Sequence, residues 1–148
     1  MDARVRPLLA GDLSLLVAGF IATFNAAPWH DEWQSETAHA YLAGLCAHPE
    51  ARAWVIERDD ELLGAAFGHI RRWWAGDELF VDEFFVRADC QRQGLGRLLL
   101  DTLEAELRAE GVGAVTLLTA RATPAEDFYL AQDYHGKPEL RFMVKPLR

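Results

Sequence analysis

Leu79-Phe80-Val81-Asp82-Glu83-Phe84-Phe85-Val86 runs through a polar loop, Arg87-Ala88-Asp89-Cys90, into Gln91-Arg92-Gln93-Gly94-Leu95-Gly96-Arg97. A helical pattern follows at once, with Leu99, Leu100, Leu103 and Leu107 at helical spacing and Gly111 as its stop. The first piece is β-rich and apolar. Strand, Gly-bearing loop and helix in succession make an anion site. The first helical N–H groups have no internal partner, and the positive end of the helix dipole lies behind them. Gly94 and Gly96 carry no Cβ, so a phosphate can approach the backbone. Arg92 and Arg97 add cationic charge.

Two other phosphate loops compare poorly. A dinucleotide fingerprint needs a third small residue, but Leu99 stands three after Gly96. A P-loop needs Gly-Lys-Ser/Thr, a triplet the chain does not contain. A strand-to-helix turn without a ligand stays open.

Gln91-Arg92-Gln93-Gly94-Leu95-Gly96 resembles the Q/R-x-x-G-x-G/A signature of the GNAT family of N-acetyltransferases. The resemblance implies that Gln91, Arg92, Gln93, Gly94, Leu95, Gly96 and Arg97 hold the pyrophosphate of acetyl-CoA. It implies that Phe84, Phe85 and Val86 offer backbone groups to the pantetheine arm. It also implies an α+β fold whose mostly antiparallel sheet splays between its fourth and fifth strands.

The rest of the chain reads in order. Val5–Leu8 is a short strand, and Asp12 a candidate N-cap. Leu13, Leu16, Val17, Phe20, Ile21 and Phe24 mark a one-faced helix. Ser35 caps a second, with Ala38, Tyr41, Leu42 and Leu45 on one side. Strands follow at 53–57 and 62–74, with Gly64 and Gly68 as bulge or close-approach points. Ala114–Thr119 is a further strand, reached by a right-handed crossover and parallel to its neighbour. Thr123 and Pro124 start a last helix, and Leu140–Val144 reads as a final strand. The whole, residues 1–148, is expected to be a single domain.

The chain has 148 residues and a formal net charge of −8. That balance argues against non-specific nucleic-acid binding. Cys46 and Cys90 suggest neither a disulfide framework nor a metal cluster, and no metal is expected. Leu13–Ala27 is too short and too amphipathic to span a bilayer, and Met1-Asp2-Ala3-Arg4 lacks a signal's apolar core. No membrane partner is expected, and the expected location is cytoplasmic. A homodimer is compatible with the resemblance.

Asp82 and Glu83 are two adjacent carboxylates inside an apolar strand. Alternation places them on opposite faces, so at least one meets a buried or ligand-lined side. A partly desolvated carboxylate suits a general base, and Glu83 is preferred over Asp82. Pairing with Arg71, Arg72 or water stays open. Ala125-Glu126-Asp127-Phe128-Tyr129 matches the centre of a further family pattern, which implies that Tyr129 is the acid near the leaving sulfur. A core tyrosine is the alternative. The family's Asn and Gly positions are held here by Ala122 and Asp133.

Pro28-Trp29-His30-Asp31-Glu32-Trp33 resembles the aminoglycoside 6′-N-acetyltransferase-like group. Trp29 and Trp33 are candidate aromatic walls, and Asp31 and Glu32 candidate partners of a cationic acceptor. Tryptophans that merely cover the core edge are the alternative. The expected activity is acetyl-CoA-dependent transfer to a primary amine of a small molecule, an aminoglycoside or polyamine-like compound. A non-catalytic acyl-CoA sensor or interaction module is the competing class.

Overall fold

The structure, a computed structural model, describes residues 2–148. It divides into a first unit that runs through Leu118 and a second, Thr119–Arg148.

The first unit is a five-stranded sheet in the order β1-β2-β3-β4-β5. Its strands are β1 Arg4–Pro7, β2 Ala51–Arg58, β3 Glu61–Arg71, β4 Glu78–Val86 and β5 Ala114–Leu117. The first four pair antiparallel and β5 joins β4 in parallel. Helices α1 Asp12–Phe24 and α2 Ser35–Cys46 precede β2, and α3 Leu95–Glu110 links β4 to β5. Leu16, Phe20, Phe24 and Leu42 of α1 and α2 pack with Val55, Phe67 and Phe85 of the sheet. Leu99, Leu100, Leu103 and Leu107 are the buried stripe of α3, as their spacing requires.

The caps differ from expectation. Asp12 lies inside the first turn of α1, after Gly11. Its carboxylate accepts from Arg6 at 2.8 and 3.0 Å and from the Leu9 amide at 2.7 Å, so it ties β1 to α1. Ser35 is likewise the first residue of α2. Gln34 is the N-cap, in a capping box with Thr37.

Gly64 and Gly68 are where β3 meets β4 most closely. A Cβ on Gly64 would lie 2.3 Å from the Phe85 carbonyl oxygen, and one on Gly68 2.6 Å from that of Phe80. Both positions exclude a side chain.

The second unit contains α4, Pro124–Ala131. Thr123 caps it, and the Ala122 amide donates to Glu126 at 3.0 Å. The expected strand Leu140–Val144 does not form: among the described residues it has no ladder partner, and the Leu140 amide donates to the Lys137 carbonyl at 3.0 Å. Leu140, Phe142, Met143 and Val144 are exposed. Its β-branched and aromatic composition supplies propensity, but a strand exists only where a ladder partner completes it.

Candidate active site

Phe67 pairs with Glu83, but the next residue on β3, Gly68, pairs with Val81. Asp82 is therefore an extra residue, a β-bulge in β4. Phe67 packs against α1 and α2, so Glu83 opposite it faces those helices. His69 shares the face of Phe67 by alternation, and its Nδ1 lies 2.9 Å from Asp82 Oδ2. The bulge thus brings both carboxylates to one face, where alternation alone separates them. Neither pairs with Arg71 or Arg72, which are held by Glu78 and by Glu50 and Asp77.

Glu83 is the more enclosed of the two. Tyr41 of α2 donates its hydroxyl to Glu83 Oε2 at 2.6 Å. Burial pushes the Glu83 carboxyl above its ordinary value. The Tyr41 bond pulls it down, and the charges of Asp82 and Asp31 push it up. Burial, with Glu83 behind it, drives the Tyr41 hydroxyl far up, so it stays a proton donor.

Asn25, at the end of α1, clamps Trp33. Its Oδ1 accepts from the Trp33 amide at 2.9 Å, and its Nδ2 donates to the Trp33 carbonyl at 3.1 Å. The Trp33 ring stacks on Tyr41 with centroids 5.1 Å apart. Its Nε1 donates to Asp31 Oδ2 at 3.0 Å. Trp29 packs edge-on against Phe24 and remains partly exposed, and Glu32 lies in solvent. Trp33, Asp31, Tyr41, Glu83, Asp82 and His69 therefore form one continuous polar and aromatic surface. Tyr41 and His69 were not singled out by the sequence, because nothing local distinguishes a helix-face tyrosine or a strand histidine.

At the other end of β4 the chain enters a 3₁₀ turn, Ala88–Cys90, and then the loop before α3. Arg92 (φ 64°) and Gly94 (φ 78°) are left-handed. Interspersed left-handed residues turn successive amides toward a common point. Gln91 and Arg92 form a hydrogen-bonded turn; beyond it, among the described residues, the amides from Gly94 to Arg97 have no hydrogen-bond partner, and the first helical bond is Leu98 N–H to the Gly94 carbonyl. No atom lies within 4 Å of a Cβ built on Gly94. The row of donors is open. Cys90 is buried behind it, and burial pushes its thiol up.

The ladder between β4 and β5 ends at Val81 and Leu117, while β4 continues to Val86. The Val86 carbonyl accepts from the Gln91 side chain at 3.0 Å. Strand and loop thus form one connected edge from the bulge to α3. A cavity of ≈ 570 Å³ beside it is lined by Leu15, Gly19, Phe85 and Arg87, but by neither Asp82 nor Glu83.

In the second unit, Tyr129 lies on α4, with its ring 5.2 Å from Phe128 and 5.5 Å from Tyr134. Ala122 (φ 58°) and Asp133 (φ 68°) are both left-handed. The two positions where the sequence departs from the family pattern are thus ones whose backbone suits the Asn and Gly of that pattern.

A bulged central strand, a parallel partner that stops short and an open amide row before the crossover helix thus follow one another along β4 and into α3. The profile of the acetyltransferase (GNAT) family matches residues 18–134, and the chain belongs to that family. It is an N-acetyltransferase. The chain is 31% identical over 123 residues to the aminoglycoside N(6′)-acetyltransferase type 1 of Klebsiella aerogenes, covering 78% of this chain and 79% of that protein. Its fold is similar to that of an aminoglycoside acetyltransferase from an uncultured soil metagenomic sample, solved with sisomicin. The TM-score is 0.77 at 17% identity, over 99% and 97% of the two chains. It is also similar to the ribosomal-protein-alanine N-acetyltransferase of Brucella melitensis, with a TM-score of 0.77 at 15% identity, over 99% and 100% of the chains. No helix among the described residues is long and apolar enough to cross a membrane.

Proposed function

We propose that the chain transfers the acetyl group of acetyl-CoA to a primary amine of a small polycationic acceptor, an aminoglycoside or polyamine-like compound. The open amide row from Gly94 to Arg97, after the turn at Gln91 and Arg92, is the observation that carries the donor side of this reading. Those amides bind the pyrophosphate, helped by the dipole of α3 and by Arg92 and Arg97. The edge of β4 at Phe84, Phe85 and Val86 receives the pantetheine arm beyond the end of β5.

Asp31, Asp82 and Glu83 attract the acceptor's ammonium groups, with Glu32 at the rim and Trp29 and Trp33 as apolar walls. The 31% identity to an aminoglycoside acetyltransferase supports the same acceptor class. Glu83 takes one proton from the reacting ammonium. The freed lone pair forms the C–N bond, and the C–S bond breaks. The departing sulfur takes up a proton, the role that the family pattern around Tyr129 implies for its hydroxyl, and the acylated nitrogen loses one. No metal takes part. Both units then belong to one N-acetyltransferase domain, as a family match that runs across Leu118 supports. A cytoplasmic location, where acetyl-CoA is available, is part of the proposal.

A panel of amines with acetyl-CoA and a free-thiol readout tests it. Thiol release on aminoglycosides or polyamines is expected. Saturable acetyl-CoA binding without thiol release on any amine would favour a sensor and overturn the acceptor assignment.

A further inference from the structure

Arg58 closes β2 at a tight turn and reaches across to the loop before α3. It pairs with Glu61 in register, and the two residues between them, Asp59 (φ 54°) and Asp60 (φ 63°), are both left-handed. A two-residue turn of that kind matches the twist of its strands, so the end of β2 is held in place. From there Arg58 Nη1 donates to Gln93 Oε1 at 3.2 Å, across 35 residues of sequence. The same hairpin grips the start of the loop. Arg87 Nη1 donates to Glu61 Oε1 at 2.5 Å, and the Arg87 amide donates to the Leu63 carbonyl at 2.8 Å. From Arg92 to Arg97, among the described residues, the Arg58 contact is the one side-chain hydrogen bond from another element. This segment has little of its own to hold its shape. Arg92 is left-handed, a conformation that a non-glycine residue keeps only where its surroundings impose it. The amides from Gly94 to Arg97 are unpaired.

We propose that Arg58 is a positioning residue of the donor site: it braces the Gln93 side chain and so keeps the loop in the shape that receives a diphosphate. The inference rests on the donor half of the proposed function and needs nothing of the acceptor. Its physical basis is preorganisation. A loop already in its binding shape loses less conformational freedom when the anion arrives. The brace acts on binding and not on the acyl carbon, because Gln93 lies beyond Val86, the last residue of β4, while Asp82 and Glu83 lie within the strand. The charge of Arg58 adds a weaker, longer-range attraction for the anion. The two contributions are separable, since Gln93→Leu removes the brace and leaves the charge and the backbone amide.

The test measures acetyl-CoA affinity by calorimetry for the wild-type chain, Arg58→Met, Gln93→Leu and the double variant. Each single change should weaken binding by about threefold to tenfold, the scale of one hydrogen bond. The double variant should bind no worse than Arg58→Met alone, because both changes remove the same contact. In turnover, the KM for acetyl-CoA should rise by the same factor while kcat stays within about twofold, the mark of lost binding and not of lost chemistry. The melting temperature should not move, since the pair lies in solvent. Unchanged affinity in either single variant would overturn the proposal. So would losses that multiply in the double variant, which mark two independent contacts, or a fall in kcat with KM unchanged. A wild-type chain that binds no acetyl-CoA fails the donor reading instead, so the two failures are distinct.

Discussion

Tyr41 and Glu83 lie 42 residues apart in sequence and 2.6 Å apart in space, joined by a hydrogen bond from α2 to β4. The bond opposes burial, which favours the protonated carboxyl. Removing it with Tyr41→Phe raises the Glu83 carboxyl further. The base is active as the carboxylate, so activity falls as pH drops through its titration. The acid limb of kcat/KM should therefore move to higher pH in Tyr41→Phe, as a pH–rate profile will show. Glu83→Gln should lower kcat by about 10²-fold or more with acetyl-CoA affinity retained.

The same residue bears on stability. A carboxyl whose folded pKa is raised contributes stability at low pH and loses that contribution as pH rises through the folded value. Where Glu83 is ionised, it therefore weakens the fold. Glu83→Gln, which keeps an acceptor for Tyr41, should melt at or above the wild-type temperature at pH 7. The advantage should vanish at acid pH. Thermal denaturation at both pH values checks this.

Asp12 behaves in the opposite sense. Arg6 beside it holds its carboxyl below the ordinary value, so its stabilising contribution is present above the unfolded pKa and lost as pH falls through the folded one. Asp12→Asn should destabilise by about 2 kcal/mol at neutral pH, the scale of a hydrogen bond to a charged group. The difference should shrink in strong acid, as urea midpoints across pH will show.

Gly94 allows a test of the anion site without a change of backbone. Both Asn and Asp tolerate its left-handed conformation, and a side chain there meets open space. Gly94→Asp should weaken acetyl-CoA binding by about tenfold relative to Gly94→Asn, since a like charge near a few ångströms costs about 1–2 kcal/mol at a partly screened surface. Calorimetry at low and high salt should show the gap closing as salt rises.

Two other glycines separate close approach from helix propensity. Gly64→Ala drives a Cβ into the Phe85 carbonyl and should destabilise by about 3 kcal/mol or more. Gly44→Ala, in the last turn of α2 with nothing within 4 Å, should stabilise by about 0.5–1 kcal/mol. Chemical denaturation of both variants measures the contrast.

The elements whose signals are local were legible in the sequence. The leucines of α3, its Gly111 end, the Thr123-Pro124 start of α4 and the close approaches at Gly64 and Gly68 each follow from a neighbour's spacing or a missing Cβ, whereas α3 begins at Leu95, earlier than the spacing showed. So did the strand–loop–helix with its donor row, because the first turn of any helix leaves its amides free. What only the tertiary structure decided is non-local. The bulge that turns Asp82 and Glu83 to one face arises from register against β3, and a strand's own sequence does not record where its partner slips by one residue. Tyr41 and His69 acquire meaning only when α2 and β3 are laid beside β4. Leu140–Val144 has the composition of a strand and finds no ladder partner among the described residues, because composition supplies a preference while the ladder's hydrogen bonds need a second strand.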